Sequence, residues 1–131
     1  MIAVADLDRL AEARLEDAKL LLASSRYDGA VYMCGYAVEI ALKARICRTL
    51  GWHEFPLTKK EFEGLSTFKT HDLDMLLRLS GQEANIKENH FVDWNAVAVW
   101  NPEARYKPIG SATNAEGSAI VAAVAALLKV L

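Results

Sequence analysis

The chain has 131 residues, 53% hydrophobic and 24% charged, with a net charge of −2 at pH 7. That length fits one domain spanning residues 1–131, with a core that needs no disulfide or metal staple. Without a basic surplus, strong non-specific nucleic-acid binding over the whole surface is excluded, while a local basic patch is not.

The sequence opens MIAVADLDRLAEARLEDAK, acidic and amphipathic, with no charged-then-apolar leader layout. A cytoplasmic protein without a signal peptide is the expectation. Leu7, Leu10, Ala11, Ala18, Leu21 and Leu22 recur at helical spacing, with Arg9, Glu12, Glu16, Asp17 and Lys19 mostly opposite. They predict a first helix from about Ala5 to Ser24. The turn from Ser24 to Asp28 is too short for anything but an antiparallel hairpin.

The next stretch, DGAVYMCGYAVEIALKARICRTL, predicts a central helix from Asp28, as N-cap, to Leu50, with Gly51 at the C′ position. It is apolar on nearly every side, so it packs against several neighbours at once. Glu39 and Lys43 in its interior, followed by Arg45 and Arg48, exclude a membrane span. Gly35 costs about 1 kcal/mol against alanine mid-helix, which implies that a backbone or a bulky ring approaches there. Cys34 and Cys47 lie about 20 Å apart along the helix axis and cannot bridge within it, so buried free thiols are expected. Tyr32, Tyr36, Glu39 and Lys43 follow one another by 4, 3 and 4 residues and share one stripe. Two readings fit: a solvated or partner-facing stripe, or the wall of a cleft.

Beyond Gly51 the pattern weakens, and Thr58 could cap a short helix over Lys59–Glu63. Thr70 then caps a clear helix with Asp72 and Asp74 in its first turn, ended by Ser80-Gly81. A further long helix is predicted over Glu83–Trp100, carrying Ile86, Phe91, Trp94, Val97 and Ala98 inward, and closed by Asn101-Pro102. Thr113 and Glu116 form a capping box for a last helix over Asn114–Val130, whose apolar run is too short to span a bilayer. Nothing alternates with period two, so no strand is expected. The fold class is all-α: an antiparallel up-and-down bundle of four long helices plus one or two short ones.

Chemistry-bearing groups are sparse. His53, His71 and His90 are scattered without metal-ligand spacing, and there is no glycine-rich phosphate loop. Neither a metal nor a cofactor is expected, and the residues assign no catalytic group. His71 sits at a helix start, either as a surface histidine or within reach of Glu39. Trp100, Arg105, Tyr106 and Lys107 concentrate in the loop WNPEARYKP, a composition that can stack a base and hold a phosphate, or simply pack the loop down.

Three blocks, RLEDAKLLLASSRYDGAVYMCGYAVEIALKARI (14–46), THDLDML (70–76) and WNPEARY (100–106), resemble the HEPN domains (higher eukaryotes and prokaryotes nucleotide-binding) in order and spacing. The resemblance implies a helical bundle that forms a homodimer and pairs with a small nucleotidyltransferase, often in toxin–antitoxin modules. Many HEPN proteins are metal-independent ribonucleases with an arginine, four to six residues, then a histidine. Counted from Arg105, the histidine positions hold Gly110, Ser111 and Ala112, so that motif is missing at its expected place. One formal match, Arg48 to His53, falls at the end of the central helix.

The expectation is therefore a module that binds a nucleotide, an RNA segment or a partner through Tyr36, Glu39, Lys43, His71, Arg105 and Tyr106. A buried Glu39 needs a cation, and Arg105 is the one expected to engage it. The alternatives are a ribonuclease using Arg48 and His53, or His71 with Arg105, and a purely structural protein partner with no nucleic-acid contact.

Overall fold

The structure, a computed structural model, describes residues 1–131. Helix α1 (Val4–Ala23) and helix α2 (Tyr27–Leu50) form the expected hairpin. The link is tight: the Ser24 amide donates to the carbonyls of Leu20 and Leu21, and the Arg26 amide donates to that of Leu21. Ser25 turns the chain with a φ of 60°. Four shorter or later helices follow: α3 (Leu73–Leu79), α4 (Glu83–Asn89), α5 (Phe91–Ala98) and α6 (Asn114–Val130).

Helix α2 is the axis of the molecule. Ala30, Cys34, Ala37, Val38, Leu42, Ala44, Ile46 and Cys47 are all fully buried. They face α1 on one side and α6, α3 and α5 on others, which is what an all-round apolar helix requires. Both cysteines are free, and burial pushes the Cys34 thiol up to about 12 and raises that of Cys47. Gly51 ends the helix in the left-handed region at φ 70°, where its amide donates to the Cys47 carbonyl. The fold is thus the all-α bundle that the periodicity dictates, and no helix is long and apolar enough to cross a membrane.

Several details differ from the sequence expectation. Three helices are long rather than four, because the predicted Glu83–Trp100 helix is divided. His90, at φ −135° and ψ 34°, closes α4 and opens α5. The offset turns Phe91 outward to 57% exposure, although Trp94 and Val97 stay buried. A small antiparallel pair also exists, β1 (Ile2–Ala3) with β2 (Glu54–Phe55), in the register Ile2 to Phe55 and Ala3 to Glu54. Two residues per strand leave no alternation to read. Asp28 does not cap α2; it lies inside the first turn, and its carboxylate accepts from the amides of Gly110 and Ala112 instead. Asp72, not Thr70, caps α3 by accepting from the Met75 amide, while Thr70 accepts from the Asp72 amide one step earlier. At Thr58 the side chain accepts from the Glu61 amide, but the segment stays in turns.

Candidate functional site

The polar stripe of α2 is where the chain's chemistry gathers. At its centre lies Glu39, only 2% exposed. Its Oε1 accepts from Lys43 Nζ at 2.8 Å and lies 2.5 Å from His71 Nδ1. A carboxylate can only accept, so the imidazole donates from Nδ1, and Nε2 is the nitrogen left for another partner. The ring is well placed for one, since the His71 side chain is 60% exposed while Glu39 beneath it is buried. Lys43 is held by a second contact, its ammonium 5.5 Å from the centre of the Phe55 ring.

One turn earlier the stripe becomes aromatic. Tyr32 and Tyr36 meet edge to face at 5.0 Å, and Tyr36 meets Trp100 in the same manner at 5.1 Å. Trp100 reaches α2 because of Gly35: a Cβ there would fall 1.9 Å from the indole ring, so only glycine admits it. The close approach expected at Gly35 is therefore made by a ring from the far end of the chain. Trp100 is itself buried, with its Nε1 lacking a hydrogen-bond partner, and the second oxygen of Glu39 lacks one as well. A donor and an acceptor thus lie unsatisfied along one turn of α2, each at the cost of a desolvated polar group.

Arg105 and Tyr106 lie on a 3-10 turn (Pro102–Tyr106) that packs against α2. The guanidinium carbon stands 4.8 Å from the centre of the Tyr106 ring. The Tyr106 phenol, and next that of Tyr32, favour its charged form and raise its pKa further. The expected ion pair between Arg105 and Glu39 is not formed. Lys43 and His71 reach the carboxylate first, from the same helix and from the α3 side, and Arg105 is left exposed beside the tyrosines. The two groups still share a neighbour. The Tyr36 phenol is pushed up chiefly by its hydrogen bond with Tyr32 and by burial; Glu39 raises it further and Arg105 lowers it.

Of the six residues expected to form one patch, Tyr36, Glu39, Lys43 and His71 are joined by contacts, directly or along one helix face. Arg105 and Tyr106 flank the aromatic end. Tyr32, expected on the same stripe, and Trp100 complete the patch; the place of Trp100 was open in the sequence because it lies far from α2 along the chain. The formal Arg48–His53 motif does not assemble there. Arg48 is paired with Asp8 of α1, and His53 lies beyond the helix end with its carbonyl accepting from Val4.

The fold and patch define a class: an all-α bundle whose central helix carries a stripe of aromatic and ionic groups, walled by a cationic loop. Residues 4–59 match the family model of the HEPN domain. The matched stretch takes in α1, α2 and the β2 strand. Tyr32 to Lys43 fall inside the match, whereas His71, Trp100, Arg105 and Tyr106 come from the chain beyond it. No curated protein and no solved structure matches the chain.

Proposed function

We propose that the stripe binds a nucleotide or the unpaired bases of an RNA segment. The observation that carries this reading is the conjunction of the half-buried Tyr32 and Tyr36 rings, backed by the buried Trp100, with an Arg105 held by no ion pair. Rings offer a face on which a base can stack, worth about 1–3 kcal/mol per base, and a guanidinium is suited to phosphate. Exposed Tyr106 adds a further stacking face at the rim. The buried Glu39 carboxylate orients His71 and Lys43, so the imidazole and the ammonium are both fixed in direction before a ligand arrives.

Binding of 5′-AMP, 5′-UMP and a single-stranded RNA 10-mer, followed by fluorescence anisotropy or calorimetry, tests the reading. Tyr36→Ala and Arg105→Ala should each weaken binding by about 5-fold to 100-fold, the equivalent of one stacked base or one charged contact. Tyr36→Phe should retain most of it. Wild-type protein that binds none of the three probes would reject the proposal.

A second reading, a protein-binding role, is favoured by exposed apolar groups on α5 and at its C-terminal end, where Val92 and Val99 are 80% and 83% exposed. Family resemblance supplies the finer form of this reading: a homodimer paired with a small nucleotidyltransferase in a toxin–antitoxin module. Co-expression with the product of an adjacent nucleotidyltransferase gene, and recovery of a stoichiometric complex, would support it.

A further inference from the structure

The loop that delivers His71 to the stripe carries a second feature. Between β2 and α3, an open hollow of about 570 Å³ is lined by Lys59, Lys60, Phe62, Glu63, Gly64, Ser66 and Lys69. Phe62 is buried and forms its floor, while the three lysines are exposed. None of the three takes part in an ion pair. Lys19, Lys43 and Lys87 are each paired with a carboxylate, and the other unpaired lysines, Lys107 and Lys129, stand singly elsewhere in the chain. Glu63 is the only acidic residue on the rim, and the neighbouring Glu61 is turned aside to accept from the amides of Leu57 and Thr58. In a chain of net charge −2, this is a local concentration of uncompensated positive charge.

Its place matters as much as its sign. Lys69 is two residues from His71, a reach of about 7 Å at most along the backbone. The Lys69 edge of the hollow therefore lies close to His71, at the end of the stripe opposite Trp100 and Arg105. A single nucleotide stacked on the tyrosines has its phosphate answered by Arg105 and leaves these lysines unused.

We propose that the Lys59–Lys60–Lys69 hollow is a phosphate-backbone site continuous with the stripe, and that the ligand is a single-stranded polynucleotide several residues long rather than a mononucleotide. This inference rests on the base-binding reading of the stripe. Bases occupy the aromatic end, the chain passes His71, and the following phosphates lie against the lysines. Contacts of this kind position a strand without reading its sequence.

The test compares 5′-AMP, a mixed-sequence single-stranded RNA 10-mer and inorganic polyphosphate. Each is titrated against wild type, the triple variant Lys59→Ser/Lys60→Ser/Lys69→Ser, and Tyr36→Ala. The lysines are exposed, so the triple variant should keep its helical circular dichroism. The expected result is that the triple variant loses at least 10-fold in affinity for the 10-mer and none for 5′-AMP. Its slope of log affinity against log salt should become shallower by about 2, from three lost phosphates at about 0.7 each. Tyr36→Ala should weaken both nucleotide ligands. Equal affinity of the triple variant and wild type for the 10-mer would overturn the inference and leave the stripe reading standing. So would polyphosphate binding as tightly as the 10-mer and losing affinity only in the triple variant, since the hollow would then act apart from the stripe. Wild type that binds neither 5′-AMP nor the 10-mer would remove both readings together.

Discussion

At the scale of single residues, Gly35 and Glu39 make opposite demands on the same face of α2. Gly35 must lack a side chain: an alanine Cβ would overlap the fused ring atoms of Trp100 at 1.9 Å. Gly35→Ala should therefore destabilise the fold by about 1–3 kcal/mol in urea denaturation, despite the better helix propensity of alanine. Combining it with Trp100→Leu should cost less than the sum of the two single changes, because the clash disappears with the ring. Glu39 must keep its charge, for Lys43 is largely buried beside it with a side chain only 19% exposed. Glu39→Gln should lower stability by about 1–3 kcal/mol, leaving the ammonium without its ionic partner. His71→Ala, which removes a mostly exposed ring, should cost less than about 1 kcal/mol and show its effect in ligand affinity instead. If Glu39→Gln proved thermally silent, the carboxylate would not be the anchor of the cluster.

At the scale of elements, the loop between α5 and α6 is tied to the start of α2 by one side chain. The Asp28 carboxylate accepts from the Gly110 amide at 2.7 Å and from the Ala112 amide at 2.8 Å, and those two bonds hold its pKa below the ordinary carboxylate value. A depressed carboxylate contributes stability that is present above its unfolded pKa of about 3.9 and is lost as pH falls through the lower folded value. Amide chemical shifts of Gly110 and Ala112 should therefore titrate together, with a midpoint below 3.9. In Asp28→Asn that inflection should vanish; a midpoint at or above 3.9 would mean the latch is not closed in solution. This latch also shows where the sequence was legible and where it was not. Asp28 beside a helix start reads as an N-cap, because local capping is visible along the chain and a bond to residues more than eighty positions away is not. The same limit hid Trp100 as the partner of Gly35, although the need for some close approach was readable. Lys43 and Glu39 were legible as a pair since they are four residues apart on one helix. Arg105 was wrongly assigned to Glu39, because sequence shows that a buried charge needs a partner but not which one arrives. The break at His90 was invisible for a related reason: the apolar spacing carries on across it, and only the rotation of Phe91 outward reveals it.

At the scale of the whole molecule, the apolar surface is unevenly spread. Val92 lies on α5 and Val99 caps its C-terminus seven residues on; they are 80% and 83% exposed, and Phe91 beside Val92 is 57% exposed. Val99 also lines a mostly apolar cavity of about 320 Å³ with Val31, Ala96, Trp100 and Ile120, whose wall also carries Asn101, Lys107 and Glu116. Large apolar side chains exposed together in this way are costly in water and are commonly covered by another protein surface. The expected occupant is a second copy of the chain, placing two stripes in one assembly. Gel filtration coupled to light scattering at tens of micromolar should return twice the mass of one chain. Val92→Asp with Val99→Asp should return one, because two carboxylates would then be desolvated without partners. Raising the salt concentration should leave the dimer intact, since screening acts on charges and not on apolar burial, while it weakens polynucleotide binding at the lysine hollow. A wild-type monomer at those concentrations would show that this face is covered by a different protein or by none, and would separate assembly from binding.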